Sequence, residues 1–167
     1  MRRVSEMMGK AIVAAENGER VGKVADVLID SESCEVLGVV VAGGILAAEQ
    51  VLPFDEVQTL GTDAVIVRSA GSVIGRKEWR AQAPDAARFS AMTDRPVITV
   101  KGRRVGAIRD VWLSDTSGEI EAFEVGGGRV AGLVQRAIGA DGRPFTIGPD
   151  AVIVSDESAV IPQGKRH

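Results

Sequence analysis

Asp26 and Asp110, the single cysteine, the single histidine and two glycine-rich runs are the first residues to weigh for chemistry. Asp26 and Asp110 occupy equivalent places in two similar stretches of sequence. Paired carboxylates can divide general-acid and general-base work. Equivalent places in two separate copies do not bring two side chains to one site, however. A strand carboxylate is instead expected to accept hydrogen bonds from a neighbouring turn. Cys34 has no base to activate it, because the only histidine, His167, is the last residue. One cysteine excludes an intrachain disulfide and a cysteine-based zinc site. Cys34 lies in the turn 31–35 and aligns with Gly118, which predicts a backbone near positive φ and an exposed thiol open to intermolecular oxidation. AGGILA (42–47) and GGGRVAG (126–132) are followed neither by Lys-Ser/Thr nor by a clear helix, so they read as turns and not as phosphate cradles. The expectation is no catalytic residue, no cofactor-binding residue and no metal ligand, hence no enzyme.

GRKEWR, residues 75–80, is the remaining candidate, with Arg76, Lys77, Trp79 and Arg80 close together. Basic residues beside an aromatic ring can grip RNA by phosphate contacts and stacking. The competing expectation is that Trp79 anchors this segment against the fold, at least half buried, while the three cations face water. An overall charge of -3 and the lack of an RNA-binding signature favour the anchor. The charge is uneven: residues 1–67 carry -6, 68–109 carry +7 and 110–167 carry -4. Either the acidic ends attract the basic middle during folding, or the middle is a binding stripe.

The elements that must position these residues come in two copies. GERVGKVADVLIDSESCEVLGVVV (18–41) returns as GRRVGAIRDVWLSDTSGEIEAFEV (102–125), a shift of 84. LGTDAVIV (60–67) returns as IGPDAVIV (147–154), a shift of 87, so copy two holds three extra residues between the blocks. Val-rich runs broken by turn signals predict strands at 11–15, 21–29, 36–42, 49–52 and 64–68. They predict further strands at 96–100, 105–113, 120–125, 151–155 and near 133–137. Asn17-Gly18 is a hairpin signal. Gly22 and Gly106, early in each long strand, predict a bulge or sharp coil. Many short strands at this spacing suggest small barrels or sandwiches.

The third strands differ. LGVVVAG is apolar on both faces, so Val39, Val41 and their neighbours call for cover from the other copy or from another chain. EAFEVGG alternates with glutamates. The segment between copies, SAGSVIGRKEWRAQAPDAARFSAMTD, reads as a connector with helical turns over 78–82 and from Pro84 to about residue 91, without strands. No apolar run approaches the ~20 residues of a spanning helix, and no secretory leader is visible, which together suggest a cytoplasmic protein.

The stretches GERVGKVADVLID, VLPFDEV and GTDAVIV, and again GRRVGAIRDVWLS and GPDAVIV, resemble the PRC-barrel family, over about two thirds of the chain. Copy two departs where QRAIGADGRPFTI replaces VLPFDEV. The resemblance implies an all-β fold of two small barrels in tandem, which we expect to be pseudo-twofold related, with copy one at 1–70, a connector at 71–91, copy two at 92–160 and a tail at 161–167. It also implies an adaptor or scaffold role through protein contacts, with RNA-linked processes as the alternative. The candidate partner-binding residues are Val39, Val41, Arg76, Lys77, Trp79 and Arg80. A protein partner is the first expectation and RNA the second; homo-oligomerisation stays open.

Overall fold

A computed structural model describes residues 1–43, 49–83, 86–127, 132–135, 145–155 and 160–162. In chain order the elements are β1 (Arg2–Arg3), β2 (Ala11–Ala14), β3 (Arg20–Asp30), β4 (Glu35–Ala42), β5 (Gln50–Pro53), β6 (Val57–Leu60), β7 (Ala64–Val67), β8 (Ile74–Gly75) and α1 (Arg76–Gln82). There follow β9 (Ala86–Arg88), α2 (Phe89–Met92), β10 (Pro96–Thr99), β11 (Arg104–Leu113), β12 (Ile120–Gly126), β13 (Gly132–Gln135), β14 (Phe145–Ile147), β15 (Val152–Val154) and β16 (Val160–Pro162).

The chain divides into two units. The N-unit is Val4–Asp30 with Val36–Ser90, and the C-unit is Met1–Arg3, Ser31–Glu35 and Ala91–His167. Each unit holds one eight-stranded sheet. The N-unit order is β6-β7-β2-β3-β4-β5-β8 with β9 beside β3, and the C-unit order is β14-β15-β10-β11-β12-β13-β16 with β1 beside β11. The repeat therefore extends to topology, including a parallel pair in each sheet, β2 with β7 and β10 with β15. The expectation of closed barrels is corrected: each sheet is an open path, and its end strands are unpaired with one another among the described residues. Those end strands have two to four residues, which keeps the free ladder short.

The turn and bulge signals act where the residues require. Gly18 and Gly102 take φ of +70° and +81° at equivalent hairpin turns. The β2–β3 register slips between Ile12 and Val13, opposite Gly22 and Arg20, and the β10–β11 register slips between Val97 and Ile98, opposite Gly106 and Arg104. A Cβ on Gly22 would lie 2.7 Å from the Ala42 carbonyl oxygen, and one on Gly106 would lie 2.9 Å from that of Gly126. Only glycine lets these strands approach so closely.

The segment read as a strandless connector contains β8 and β9 as well as α1 and α2. Two- and three-residue strands carry no readable period; they form because β5 and β3 offer open ladders to them. Pro84 and Asp85, most of both glycine-rich runs, the core of the copy-two insertion (136–144) and His167 lie outside the described residues. A further repeat accompanies β9: Arg3-Val4-Ser5 returns as Arg88-Phe89-Ser90. Arg3 pairs opposite Trp112 of β11, and Arg88 pairs opposite Leu28 of β3. Each unit thus takes up the short strand that precedes the other copy in the chain.

Candidate functional site

Strand β4 explains where the expected partner surface went. Val39 and Val41 are buried, at 0% and 2% exposure, on one face of the N-unit sheet. Their expected role as partner contacts is corrected, because the unit's own core uses them. On the opposite face Val40 packs with Leu28, Val51 and Trp79. The cover expected from another copy or chain is supplied here by helix α1 of the same unit. Gly75, in an extended conformation, starts this helix, and the Ala83 amide bonding to the Trp79 carbonyl closes it. Trp79, 7% exposed, turns toward the sheet, while Arg76, Lys77 and Arg80 face solvent. Arg76 and Arg80, four residues apart, share one side of the helix. Gly38 makes room for the indole: a Cβ there would lie 3.2 Å from the Trp79 ring and 2.9 Å from the Leu52 carbonyl oxygen.

Trp79 does not fill the face completely. A cleft of about 190 Å³ remains, floored by Leu28, Val40, Val51, Trp79, Ala83 and Ala86. Its rim carries Arg76, Arg80, Arg88 and Glu49. Arg88 donates to both carboxylate oxygens of Glu49, at 2.8 and 3.3 Å, and Arg76 lies 3.6 Å from the same carboxylate. The Arg88 hydrogen bond holds the Glu49 carboxyl below its ordinary value against a smaller opposing effect of burial, with the charges of Arg88, Arg76 and Arg80 assisting. Glu49 in return pushes the Arg88 guanidinium up. Three guanidinium groups surround one carboxylate, and among the described residues no carboxylate lies within 4.0 Å of Arg80. Sequence reasoning found Arg76, Trp79 and Arg80 but missed Arg88 and Glu49. The Arg-x-Ser repeat could have found Arg88; nothing local marks Glu49.

The other candidates resolve structurally. Asp26 is buried, and its Oδ1 accepts from the backbone amides of Val27 (2.9 Å) and Ser90 (3.1 Å), while Oδ2 accepts from the Ser90 hydroxyl. Asp110, also buried, accepts from the Val111 amide at 2.8 Å. Asp26 thereby ties Ser90 of α2 to β3, whereas the Asp110 bond to the Val111 amide stays within β11. Cys34 does take a positive φ, +57°, as Gly118 does at +75°. The expectation of an exposed thiol is overturned: Cys34 is fully buried in the C-unit, its Sγ 3.4 Å from the Phe145 carbonyl oxygen and its own carbonyl accepting from the Ile120 amide. Of the basic middle, Arg76 and Arg88 meet Glu49 from the acidic N-terminal stretch, whereas Arg109 pairs locally with Asp94 at 2.6 Å. Among the described residues no group of three or more His, Cys, Asp or Glu side chains could hold a metal ion, and no helix is long and apolar enough to cross a membrane.

Comparison with curated proteins finds no match. The family model of the PRC-barrel domain matches residues 1–74 and again residues 84–166. Both matches include the short leading strand with its arginine, the bulged long strand and the closing Asp-Ala-Val-Ile-Val block. With nearly the whole chain matched in two successive copies, this protein belongs to the PRC-barrel family as a tandem duplication.

Proposed function

We propose that the chain is a non-enzymatic adaptor that binds a protein partner through the cleft of its N-unit. One observation carries this reading: an apolar floor built from Leu28, Val40, Val51 and the edge of Trp79 lies beneath a rim with more guanidinium than carboxylate groups. An apolar pocket ringed by arginine is a common form of protein-recognition site, in which the floor supplies affinity and the charges supply orientation. RNA association is the weaker reading. Trp79 keeps only 7% of its surface in solvent, so it offers no open face for base stacking.

Lys77 sits on the exposed side of α1, next to the rim. A photo-crosslinking residue placed there, irradiated in native cell extract, should give polypeptide adducts that survive nuclease and disappear when Arg80→Glu is added. Adducts that are nucleic acid, or that vanish with nuclease, would replace the adaptor reading with the RNA one.

A further inference from the structure

Resting on that reading of the cleft, we infer that its ligand is the free C-terminus of a partner polypeptide ending in an aliphatic residue, with the terminal carboxylate held by Arg80 and Arg76 and the last side chain on the Leu28–Val40–Val51 floor. Size argues first. At about 190 Å³ the cleft is smaller than the ~300 to 1,000 Å³ typical of cofactor and drug-sized ligand sites. It has room for one aliphatic side chain and one anionic group, and too little for a nucleotide. Chemistry argues second. The floor offers no polar side chain, while the rim offers guanidinium forks, which match carboxylate geometry and reward it with paired, charge-assisted hydrogen bonds.

The protein supplies its own template for that contact. Glu49 already presents a carboxylate to Arg88 in the two-point manner and to Arg76 from 3.6 Å, so a carboxylate is the group this rim accommodates. Arg80 lines the same cleft with no carboxylate within 4.0 Å among the described residues, which leaves a guanidinium for a second, incoming carboxylate. A chain terminus satisfies both demands because its carboxylate and its last side chain branch from one carbon. An internal acidic residue meets them less well: along an extended peptide its immediate neighbour points to the opposite side, and the next side chain on the same side is about 7 Å away.

The test uses the full chain carrying Trp112→Phe, which leaves Trp79 as the only indole, since the sequence has two. N-acetyl-Gly-Gly-Leu with a free carboxylate, the same peptide as its C-terminal amide, and an oligouridylate are titrated against Trp79 emission. Calorimetry on the unsubstituted chain guards against a folding effect of Trp112→Phe. The acid should give a saturable change in emission. The amide should bind about tenfold more weakly, and Arg80→Gln should weaken the acid by about the same factor, the scale of one charge-assisted hydrogen bond. Equal binding of acid and amide, no binding of either, or displacement by the oligouridylate each overturns the assignment. A null peptide result alongside nuclease-resistant polypeptide adducts from Lys77 would reject the C-terminal ligand while leaving the adaptor reading in place.

Discussion

In copy one, Leu28, Val40 and Val51 lie under a tryptophan that arrives on helix α1; in copy two the equivalent sheet face carries its own tryptophan. Trp112 stands where copy one has Leu28, Ala122 where it has Gly38, and Glu124 where it has Val40. Trp112 packs with Ala122 and Leu133, and the Arg3 guanidinium lies 4.8 Å from the centre of its ring while reaching Glu124 at 3.4 Å. The arginine of the leading strand is thus common to both faces, but its partners differ. Arg3 finds a ring and a carboxylate on the strands; Arg88 finds a carboxylate at residue 49, beside an otherwise apolar strand face. One scaffold with one duplicated arginine closes a face in two ways, and the way that imports a helix leaves the cleft lined by Trp79.

The most severe test of that comparison removes the imported cover. Residues 1–70 alone lack α1 and β9, so Leu28, Val40 and Val51 would face water and the outer edge of β3 would be open. This fragment should show no cooperative thermal transition, whereas residues 1–90, which restore both elements, should regain one. A cooperatively folding 1–70 monomer in calorimetry would mean that the helix is ornamental to the fold.

Next in size is the indole itself. Trp79→Ala should cost about 3 to 5 kcal/mol in urea unfolding, the usual scale for a buried tryptophan. Trp112→Leu installs the residue that copy one uses at the same place and should cost less than half as much. Comparable losses for the two substitutions would show that copy two depends on its strand tryptophan as heavily as copy one depends on its helix.

A smaller effect separates the two faces at a single methyl group. Gly38→Ala would set a Cβ 2.9 Å from the Leu52 carbonyl oxygen and 3.1 Å from Val51 Cγ1 as well as against the Trp79 ring, and overpacking of this kind costs about 1 to 3 kcal/mol. Ala122→Gly, the reverse exchange in copy two, meets no such obstacle and should cost about 1 kcal/mol or less through chain entropy and lost packing. Denaturant midpoints of the two variants decide it. Gly38→Ala as mild as Ala122→Gly would show that the ring is free to move aside.

What the sequence revealed depended on how many residues carried each signal. The duplication was legible because two blocks recur in order, and the bulges were legible because Gly22 and Gly106 fall at matching places in long strands. Trp79 could be read as an anchor because aromatics are scarce. The strands β1, β8 and β9 were not legible: two or three residues show no alternation, and their pairing is decided by ladders elsewhere in the chain. Cys34 misled because a positive-φ turn is normally exposed, while this one is packed against residues more than a hundred positions onward. Glu49 carries no local mark at all, and only the fold brings it to Arg88.

The smallest effect concerns that carboxylate. Glu49 is held below its ordinary value in the folded chain, first by the Arg88 hydrogen bond and then by the charges of Arg88, Arg76 and Arg80. A carboxyl depressed by folding stabilises the folded state above its unfolded value, about 4.3, and that contribution is lost as pH falls through the lower folded value. The rim should therefore loosen on acidification below about pH 4.3, and it should do so less sharply at high salt, because the pair is substantially exposed. In the chain with Trp112→Phe, Trp79 emission should show a step in that acid range before global unfolding, and Glu49→Gln should abolish the step. The indole of Trp79 lines the cleft, so its emission reports on that face. A step that persists in Glu49→Gln would assign the acid response to another carboxylate and remove Glu49 from its place as the carboxylate that already occupies the rim.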